Sequence, residues 1–158
     1  MFKLLIIDID GVMTDGTKLY DEDCNVIYKS YHDHDTTALK RFKARGIKLV
    51  FLTADEYNLG LFKRRNIPIY CAYKKEDGTR DKIELLKQIF KDFDVKPKET
   101  AYIGDDYLDI EIMKMVGTSF APISAIPEVR QVASHIINKN GGTGVLAALY
   151  DFVFNGPF

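Results

Sequence analysis

The chain has 158 residues, the usual length of one compact domain, and we expect a single domain over residues 1–158. Its composition, with 46% apolar and 28% charged residues, is typical of a globular protein and excludes a disordered or collagen-like chain. The 22 basic and 23 acidic residues give a formal net charge of −1, without the basic excess of a nucleic-acid or anionic-membrane binder. We therefore expect no nucleic-acid partner.

Cysteine usage and hydropathy indicate the cellular compartment. Cys24 and Cys71 lie far apart, without the spacing of a zinc ribbon or a disulfide framework, which favours reduced thiols. No apolar run approaches the roughly 18 to 20 residues that span a bilayer, and the first acid, Asp8, comes too early for a signal peptide. The sequence predicts a cytoplasmic protein with no membrane partner.

Apolar runs of strand length alternate with longer stretches of helical period along the chain. This alternation is typical of βαβ units, and it predicts an α/β fold with a doubly wound, Rossmann-like, mainly parallel sheet. The predicted strands are residues 4–9, 47–53, 67–71 and 100–103, followed by weaker candidates at 119–121 and 135–137. The predicted helices are residues 36–45, 57–65, 80–93, 107–116, 127–133 and 144–154.

One segment interrupts the alternation after the first strand. Residues 17–31 hold two short β-prone runs on either side of the polar stretch 21–25, which predicts a β-hairpin. The insertion is too small to form a domain, so we expect a hairpin flap and no cap domain.

The first acidic motif, DIDGVMTDG at residues 8–16, directly follows the first predicted strand. Side chains two residues apart on an extended chain share one face, so Asp8 and Asp10 both point toward the crevice at the carboxyl end of the sheet. Two neighbouring carboxylates repel each other unless a cation or a proton neutralises them. Gly11 permits a tight turn that brings backbone N–H groups close to an anion. The motif therefore indicates a site for a divalent cation.

A second acidic cluster follows the predicted strand 100–103 and contains Asp105, Asp106 and Asp109. Oxygen ligands of this kind suit Mg²⁺, which uses one or two protein carboxylates together with water and substrate phosphate. Between the two clusters stand Thr53, at a strand end, and Lys82, at a helix start. A hydroxyl and an ammonium are suited to the remaining oxygens of a metal-bound phosphoryl group.

Either acidic cluster alone is most often a helix cap or a turn. Their order along the chain, with Thr53 and Lys82 between them and each at an element boundary, favours a phosphoryl-transfer site instead. In this order the motifs resemble those of the haloacid dehalogenase superfamily of phosphohydrolases. More narrowly, DIDGVMTDG, the hairpin, GDDYLD at 104–109 and NGGTG at 140–144 resemble the capless subfamily that contains 3-deoxy-manno-octulosonate 8-phosphate phosphatase and nonulosonate 9-phosphate phosphatase.

The resemblance implies a role for each motif residue. Asp8 is implied as the nucleophile that forms an aspartyl phosphate, and Asp10 as the general acid and then the general base. Mg²⁺ is implied as the cofactor, held by Asp8, the Asp10 carbonyl and Asp105, with Asp106 and Asp109 in its outer shell. The groups implied to neutralise the transferring phosphoryl group are Thr53, Lys82 and the N–H groups of Gly11 and Ala54.

The residues expected to bind the substrate differ from those of the octulosonate phosphatases, which carry arginines that this chain lacks. Their His-x-Arg-Asp-Gly is HDHDT at residues 32–36 here, with His34 in place of the arginine, and their Ser-Gly-Arg is TAD, with Asp55. Arginine is the usual partner of a sugar-acid carboxylate, so the resemblance favours a nonulosonate 9-phosphate-like substrate. His34, Asp55 and Arg65 are the candidate substrate-binding side chains. An H-x-H zinc site at His32 and His34 is disfavoured, since no third His or Cys stands nearby.

Without a cap domain, the predicted active site needs another segment to cover it, and this bears on the oligomeric state. The resembled subfamily forms tetramers in which the hairpin and a neighbour's C-terminal segment close the sites, so we predict a homotetramer that binds a small phosphorylated substrate. Two alternatives stay open from the sequence. A receiver-like signalling domain also places acids, a Thr and a Lys around Mg²⁺, although in a different order. A non-catalytic oligomerisation module is the other.

Overall fold

The computed structural model describes residues 1–60, 65–73, 76 and 81–156. Its strands are β1 (Leu4–Ile7), β2 (Leu19–Tyr20), β3 (Val26–Tyr28), β4 (Lys48–Thr53), β5 (Ile69–Cys71), β6 (Thr100–Ile103), β7 (Thr118–Pro122) and β8 (His135–Ile137). Within the described ranges, six of them form one sheet in the order β5-β4-β1-β6-β7-β8, and each neighbouring pair is parallel. β2 and β3 form a separate antiparallel hairpin. The predicted sheet and hairpin are confirmed.

Helices cover both faces of the sheet. The α-helices are α1 (Asp33–Ala44), α2 (Lys82–Asp92), α3 (Ile110–Met115), α4 (Pro127–Val132) and α5 (Val145–Asn155), and short 3₁₀ helices span Glu56–Gly60, Pro97–Glu99 and Tyr107–Asp109. One apolar layer packs α1 and α5 against the sheet, and the other packs α2, α3 and α4. Among the described helices, none combines the length and the hydropathy needed to cross a membrane.

The central strand β1 shows why the sheet is buried on both faces. Leu4 and Ile6 point into the layer of α2, while Leu5 and Ile7 point into the layer of α1. All four side chains are fully buried, as expected for a strand covered by helices on both sides. β1 also pairs with β4 on one side and β6 on the other, so the loops after these three strands lie side by side.

Several predicted elements differ from the structure in their bounds, and for two of them a side-chain cap gives the cause. The helix expected over 57–65 is a 3₁₀ helix over Glu56–Gly60, and residues 61–64 lie outside the described part of the chain. Asp55 begins this turn because its Oδ1 accepts the Tyr57 N–H at 3.0 Å. The helix expected over 80–93 begins at Lys82, because Asp81 caps it by accepting the N–H groups of the second and third helical residues at 2.9 and 3.1 Å.

Candidate active site

The loops after β1, β4 and β6 enclose a pocket at the carboxyl edge of the sheet. The register aligns Ile7 with Phe51 and with Ile103, so the residues that follow these strands meet at one place. The pocket has a volume of about 520 Å³. It is lined by Asp8, Asp10, Gly11, Gly16, Lys18, Val26, Ala54, Asp55, Lys82, Asp105, Asp106 and Leu108. Most of the predicted site residues are therefore brought together.

Lys82 is a buried ammonium at the floor of the pocket. Its Nζ donates to Asp8 Oδ2 and to Asp109 Oδ1, each at 2.8 Å. Burial lowers the pKa of Lys82, but the attraction of the two carboxylates outweighs burial and raises the pKa above its ordinary value. Lys82 therefore stays protonated, and its position at the start of α2 is fixed by the Asp81 cap.

Asp109 is a fully buried carboxylate that joins the second acidic cluster to Lys82. Besides the lysine, its Oδ1 accepts the Tyr102 hydroxyl at 2.6 Å. Its Oδ2 accepts the backbone N–H groups of Asp105 and Asp106 at 2.8 and 3.0 Å. Burial raises the pKa of Asp109, but Lys82 and the hydrogen bonds outweigh it and hold the pKa below its usual range. This carboxylate therefore fixes the loop that carries Asp105.

Three carboxylates converge closely enough to hold one cation. Asp8, Asp105 and Asp109 each offer an oxygen within 4.8 Å of the others. Burial, followed by the charges of Asp109 and Asp106, raises the pKa of Asp105 to about 7. Burial and neighbouring acids also raise the pKa of Asp8. Carboxylates that are this costly to ionise without a positive charge fit a hard divalent cation such as Mg²⁺.

Gly11 brings the first motif against the second. Its φ of 77° lies in the left-handed region, and a Cβ built there would collide with the Asp105 carboxylate. Its N–H donates to Thr14 Oγ1 at 3.3 Å. Only glycine combines this backbone conformation with such a close approach, so the predicted need for glycine after Asp10 has a steric cause.

Asp10 is held by a buried lysine that the sequence did not reveal. Lys29, which directly follows β3, donates to Asp10 Oδ1 at 2.7 Å and Oδ2 at 2.9 Å. The same Nζ contacts Asp55 Oδ2 at 2.8 Å and Asn58 Oδ1 at 3.0 Å. Its side chain has no solvent exposure. The hairpin therefore supplies a cation that orients Asp10 from behind the pocket wall.

Thr53 lies at the end of β4 and is fully buried. Its Oγ1 accepts the Asn58 side-chain amide at 2.8 Å and the Asp55 N–H at 3.1 Å. Asn58 also donates to Asp10 Oδ2 at 3.0 Å. Because both hydrogen bonds use the oxygen as acceptor, the hydroxyl proton of Thr53 is left to donate to an anion.

Asp55 is part of the same network. Its Oδ2 accepts from Lys18 at 2.7 Å and from Lys29 at 2.8 Å. Burial raises the pKa of Asp55, but these hydrogen bonds outweigh it and bring the pKa to about 2. Asp55 is therefore ionised and paired with two lysines of the hairpin.

The remaining predicted residues are placed differently. Asp106 lines the pocket, and its Oδ1 accepts the Tyr107 N–H at 2.8 Å. His34 lies in the first turn of α1, where its N–H donates to His32 Nδ1 at 3.3 Å, and it is not among the pocket-lining residues. Arg65 lines a separate small cavity beside α1. The structure does not bring His34 or Arg65 to the pocket, and their contact with substrate stays a prediction.

Four residues of the site network were missed from the sequence: Lys18, Lys29, Asn58 and Tyr102. The sequence could have indicated Tyr102, because a tyrosine in a strand buried on both faces requires a hydrogen-bond partner for its hydroxyl. Nothing in the sequence indicates that Lys29 and Asn58 belong to the site. A lysine next to a hairpin strand and an asparagine in a polar turn are usually solvent-exposed.

Known proteins are similar to this chain in sequence. The model of the haloacid dehalogenase-like hydrolase family matches residues 77–149. The 3-deoxy-D-manno-octulosonate 8-phosphate phosphatase KdsC of Haemophilus influenzae is 32% identical over 155 residues, which cover 96% of this chain and 82% of that protein. The KdsC of Yersinia pestis is 27% identical over 151 residues, with coverage of 96% and 79%.

Solved structures agree with these sequence matches. The cobalt-bound phosphatase of Haemophilus influenzae superposes with a TM-score of 0.87 at 27% identity, over 98% of this chain and 88% of that one. The Moraxella catarrhalis phosphatase, solved with magnesium, phosphate and KDO, has a TM-score of 0.85 at 25% identity, with coverage of 98% and 87%.

The fold and the paired acidic motifs define a haloacid dehalogenase-like hydrolase, and the chain belongs to that family. Within the family it is a phosphatase related to the 3-deoxy-D-manno-octulosonate 8-phosphate phosphatases. The family assignment favours an enzyme over the receiver domain and the oligomerisation module.

Proposed function

We propose that the chain is a Mg²⁺-dependent phosphomonoester hydrolase that acts through an aspartyl phosphate on Asp8. The observation that carries this proposal is the fixed orientation of the Asp8 carboxylate on the pocket wall. Its Oδ2 accepts from Lys82 at 2.8 Å, and its Oδ1 accepts the Ile9 N–H at 2.8 Å. A nucleophile held in one orientation beside a cation is suited to attack phosphorus.

Asp8 and Asp10 divide the two chemical steps between them. In the first step an Asp8 oxygen bonds to phosphorus, the bond from phosphorus to the leaving oxygen breaks, and protonated Asp10 gives that oxygen its proton. In the second step water attacks the phosphorus while Asp10 accepts a proton from it, and the bond to Asp8 breaks. One phosphomonoester and one water yield one alcohol and one inorganic phosphate.

The groups around the phosphoryl position supply charge. The residues that would hold Mg²⁺ are Asp8, Asp105 and the Asp10 carbonyl, with Asp106 and Asp109 in the outer shell. When bound there, the cation neutralises negative charge on the phosphoryl oxygens. The proposed donors to those oxygens are the Thr53 hydroxyl, the third N–H of Lys82 and the backbone N–H groups of Gly11 and Ala54. Gly11 would exchange its long 3.3 Å hydrogen bond to Thr14 Oγ1 for one to the phosphoryl group.

The proposed substrate is a small phosphorylated sugar or sugar acid. The two KdsC relatives are named as phosphatases of 3-deoxy-D-manno-octulosonate 8-phosphate. Because Asp55 and His34 stand where those enzymes carry arginine, we favour a nonulosonate 9-phosphate-like compound. Phosphate release with Mg²⁺ over a panel of sugar and sugar-acid phosphates tests this. Equal turnover of the eight-carbon and nine-carbon acids would remove the preference, and no release from any compound would contradict the activity.

Gly11 provides a test of the packing between the two acidic motifs. We expect Gly11→Ala to lower kcat/KM about a hundredfold or more and to weaken Mg²⁺ activation, because the new methyl group displaces Asp105. Gly16→Ala is the matched control, since Gly16 has a similar φ of 83° but no atom within 4 Å of the built Cβ. Equal losses in the two variants would show that backbone strain alone is responsible.

We also propose a cytoplasmic homotetramer in which the hairpin closes the site of a neighbouring subunit. The hairpin exposes four large apolar side chains at 51–59% of their surface: Leu19, Tyr20, Ile27 and Tyr28. Light scattering at micromolar concentration should give a tetramer, and Ile27→Asp should reduce the mass. Ile123→Asp, at an exposed apolar position outside the hairpin, is the control. A monomeric wild-type protein would contradict the assembly.

A further inference from the structure

Lys18 is a cation on the wall of the site pocket that the proposed chemistry does not use. It lies just before β2, and 27% of its side chain is exposed. Its Nζ donates to Asp55 Oδ2 at 2.7 Å, which is its one recorded hydrogen bond among the described residues. An ammonium has three N–H donors, so two of them are available to a ligand in the pocket.

The other two lysines of the site, Lys29 and Lys82, are already bound to oxygens of the protein. Lys29 has no exposed side-chain surface, and its Nζ is surrounded by oxygens of Asp10, Asp55 and Asn58. Lys82 is bound to Asp8 and Asp109 and stands at the phosphoryl position. Within the described part of the pocket wall, Lys18 is therefore the cation that can meet a second anionic group of the substrate.

Asp55 does not neutralise the positive charge of Lys18 by itself, because it also pairs with Lys29. Its Oδ2 is shared between Lys18 and Lys29, and its Oδ1 accepts the Tyr57 N–H. Together with Asp10, the cluster contains two carboxyl groups and two ammonium groups, so its formal charge is zero when Asp10 is ionised and +1 when Asp10 is protonated for the first chemical step. A carboxylate can approach the exposed side of Lys18 without facing an unpaired acid.

The position of Lys18 relative to Asp10 indicates which part of a substrate it meets. Three contacts of 2.7 to 2.8 Å lead from Lys18 through Asp55 and Lys29 to Asp10. Asp10 is the proposed acid for the leaving oxygen, so Lys18 lies on the side of the pocket that receives the leaving group. Val26, from β3, lines the same pocket and limits it on the hairpin side.

We propose that Lys18 binds the carboxylate of a phosphorylated sugar acid and replaces the arginines that this chain lacks at positions 34 and 55. The inference rests on the proposed phosphatase activity and narrows its substrate to compounds with a carboxylate remote from the phosphate. A partly exposed ammonium with two free donors recognises a carboxylate by charge and by hydrogen bonding.

The test compares two substrates that share a phosphorylated polyol end. One is N-acetylneuraminate 9-phosphate, and the other is N-acetylmannosamine 6-phosphate, which has no carboxylate. We expect Lys18→Met to lower the ratio of kcat/KM for the acid to kcat/KM for the compound without a carboxylate about tenfold or more. The change should come from a higher KM for the acid. Lys18→Arg should keep most of the ratio. Lys114→Met, which removes an exposed lysine paired with Glu111, should leave the ratio unchanged.

The outcomes separate this inference from the function on which it rests. Equal losses for both substrates would mean that Lys18 only fastens the hairpin to Asp55, and an unchanged ratio would mean that the carboxylate binds elsewhere. Either result overturns the proposal while the phosphatase stands. Release only from sugar phosphates without a carboxylate would overturn the proposal as well. If the wild-type protein releases phosphate with Mg²⁺ from neither substrate and from no other compound of the panel, the proposed function itself fails.

Discussion

Asp8→Asn should reduce phosphate release by about 10⁴-fold or more, because the amide cannot form the covalent intermediate. We expect the variant to fold. Asn is neutral, so it removes a buried carboxylate whose pKa is raised by burial and by neighbouring acids, and Lys82 keeps its ion pair with Asp109. The measurement is Mg²⁺-dependent phosphate release beside a circular dichroism spectrum. Asp94→Asn is the control, since Asp94 has a φ of 49°, which Asn also tolerates.

A second variant tests the intermediate directly. Asp10→Asn removes the proposed acid and base, so hydrolysis of the aspartyl phosphate should slow more than its formation from acetyl phosphate, which has a good leaving group. Mass spectrometry of the intact protein should then show one added phosphoryl group, which peptide mapping places on Asp8. Asp8→Asn/Asp10→Asn should show no such addition. Persistent activity in Asp8→Asn, or phosphorylation of that double variant, would refute the assigned nucleophile.

Strand ends were the most predictable part of the site. Asp8, Thr53 and Asp105 each stand at or just after a buried apolar run, and parallel strands bring such positions to one edge of the sheet. Their convergence follows from local sequence and general topology. The bounds of the 3₁₀ helix at Glu56–Gly60 were less predictable, because a side-chain cap from Asp55 decides where the turn begins.

The network behind Asp10 could not be predicted, because it depends on contacts between distant segments. Lys29 contacts Asp55 and Asn58, which lie 26 and 29 residues further along the chain. Nothing in the local pattern of the hairpin distinguishes a lysine that folds inward from one that faces water. The ion pairs of Asp55, predicted only as a substrate-binding side chain, with Lys18 and Lys29 depend on the same contacts between distant segments.

Lys29→Met should produce the largest loss of stability among single substitutions around Asp10. Met keeps much of the buried hydrocarbon but removes the ammonium, which leaves Asp10 and Asp55 close together without their shared cation. Removing one partner of a buried ion pair typically costs about 3 to 5 kcal/mol, and we expect about 3 here because 25% of the Asp10 side chain is exposed. Urea denaturation measures this change in the free energy of unfolding.

Activity should fall with stability in Lys29→Met, by about a hundredfold in kcat under conditions where the variant is folded, because Asp10 loses its fixed orientation. Lys114→Met removes an exposed lysine with a 2.6 Å pair to Glu111 and should change stability by no more than about 0.5 kcal/mol. The double variant Lys29→Met/Asp55→Asn removes one of the two carboxylates that repel each other once Lys29 is lost, so it should recover part of the stability but not the activity. If Lys29→Met is no less stable than Lys114→Met, the buried lysine does not fasten the hairpin to the site.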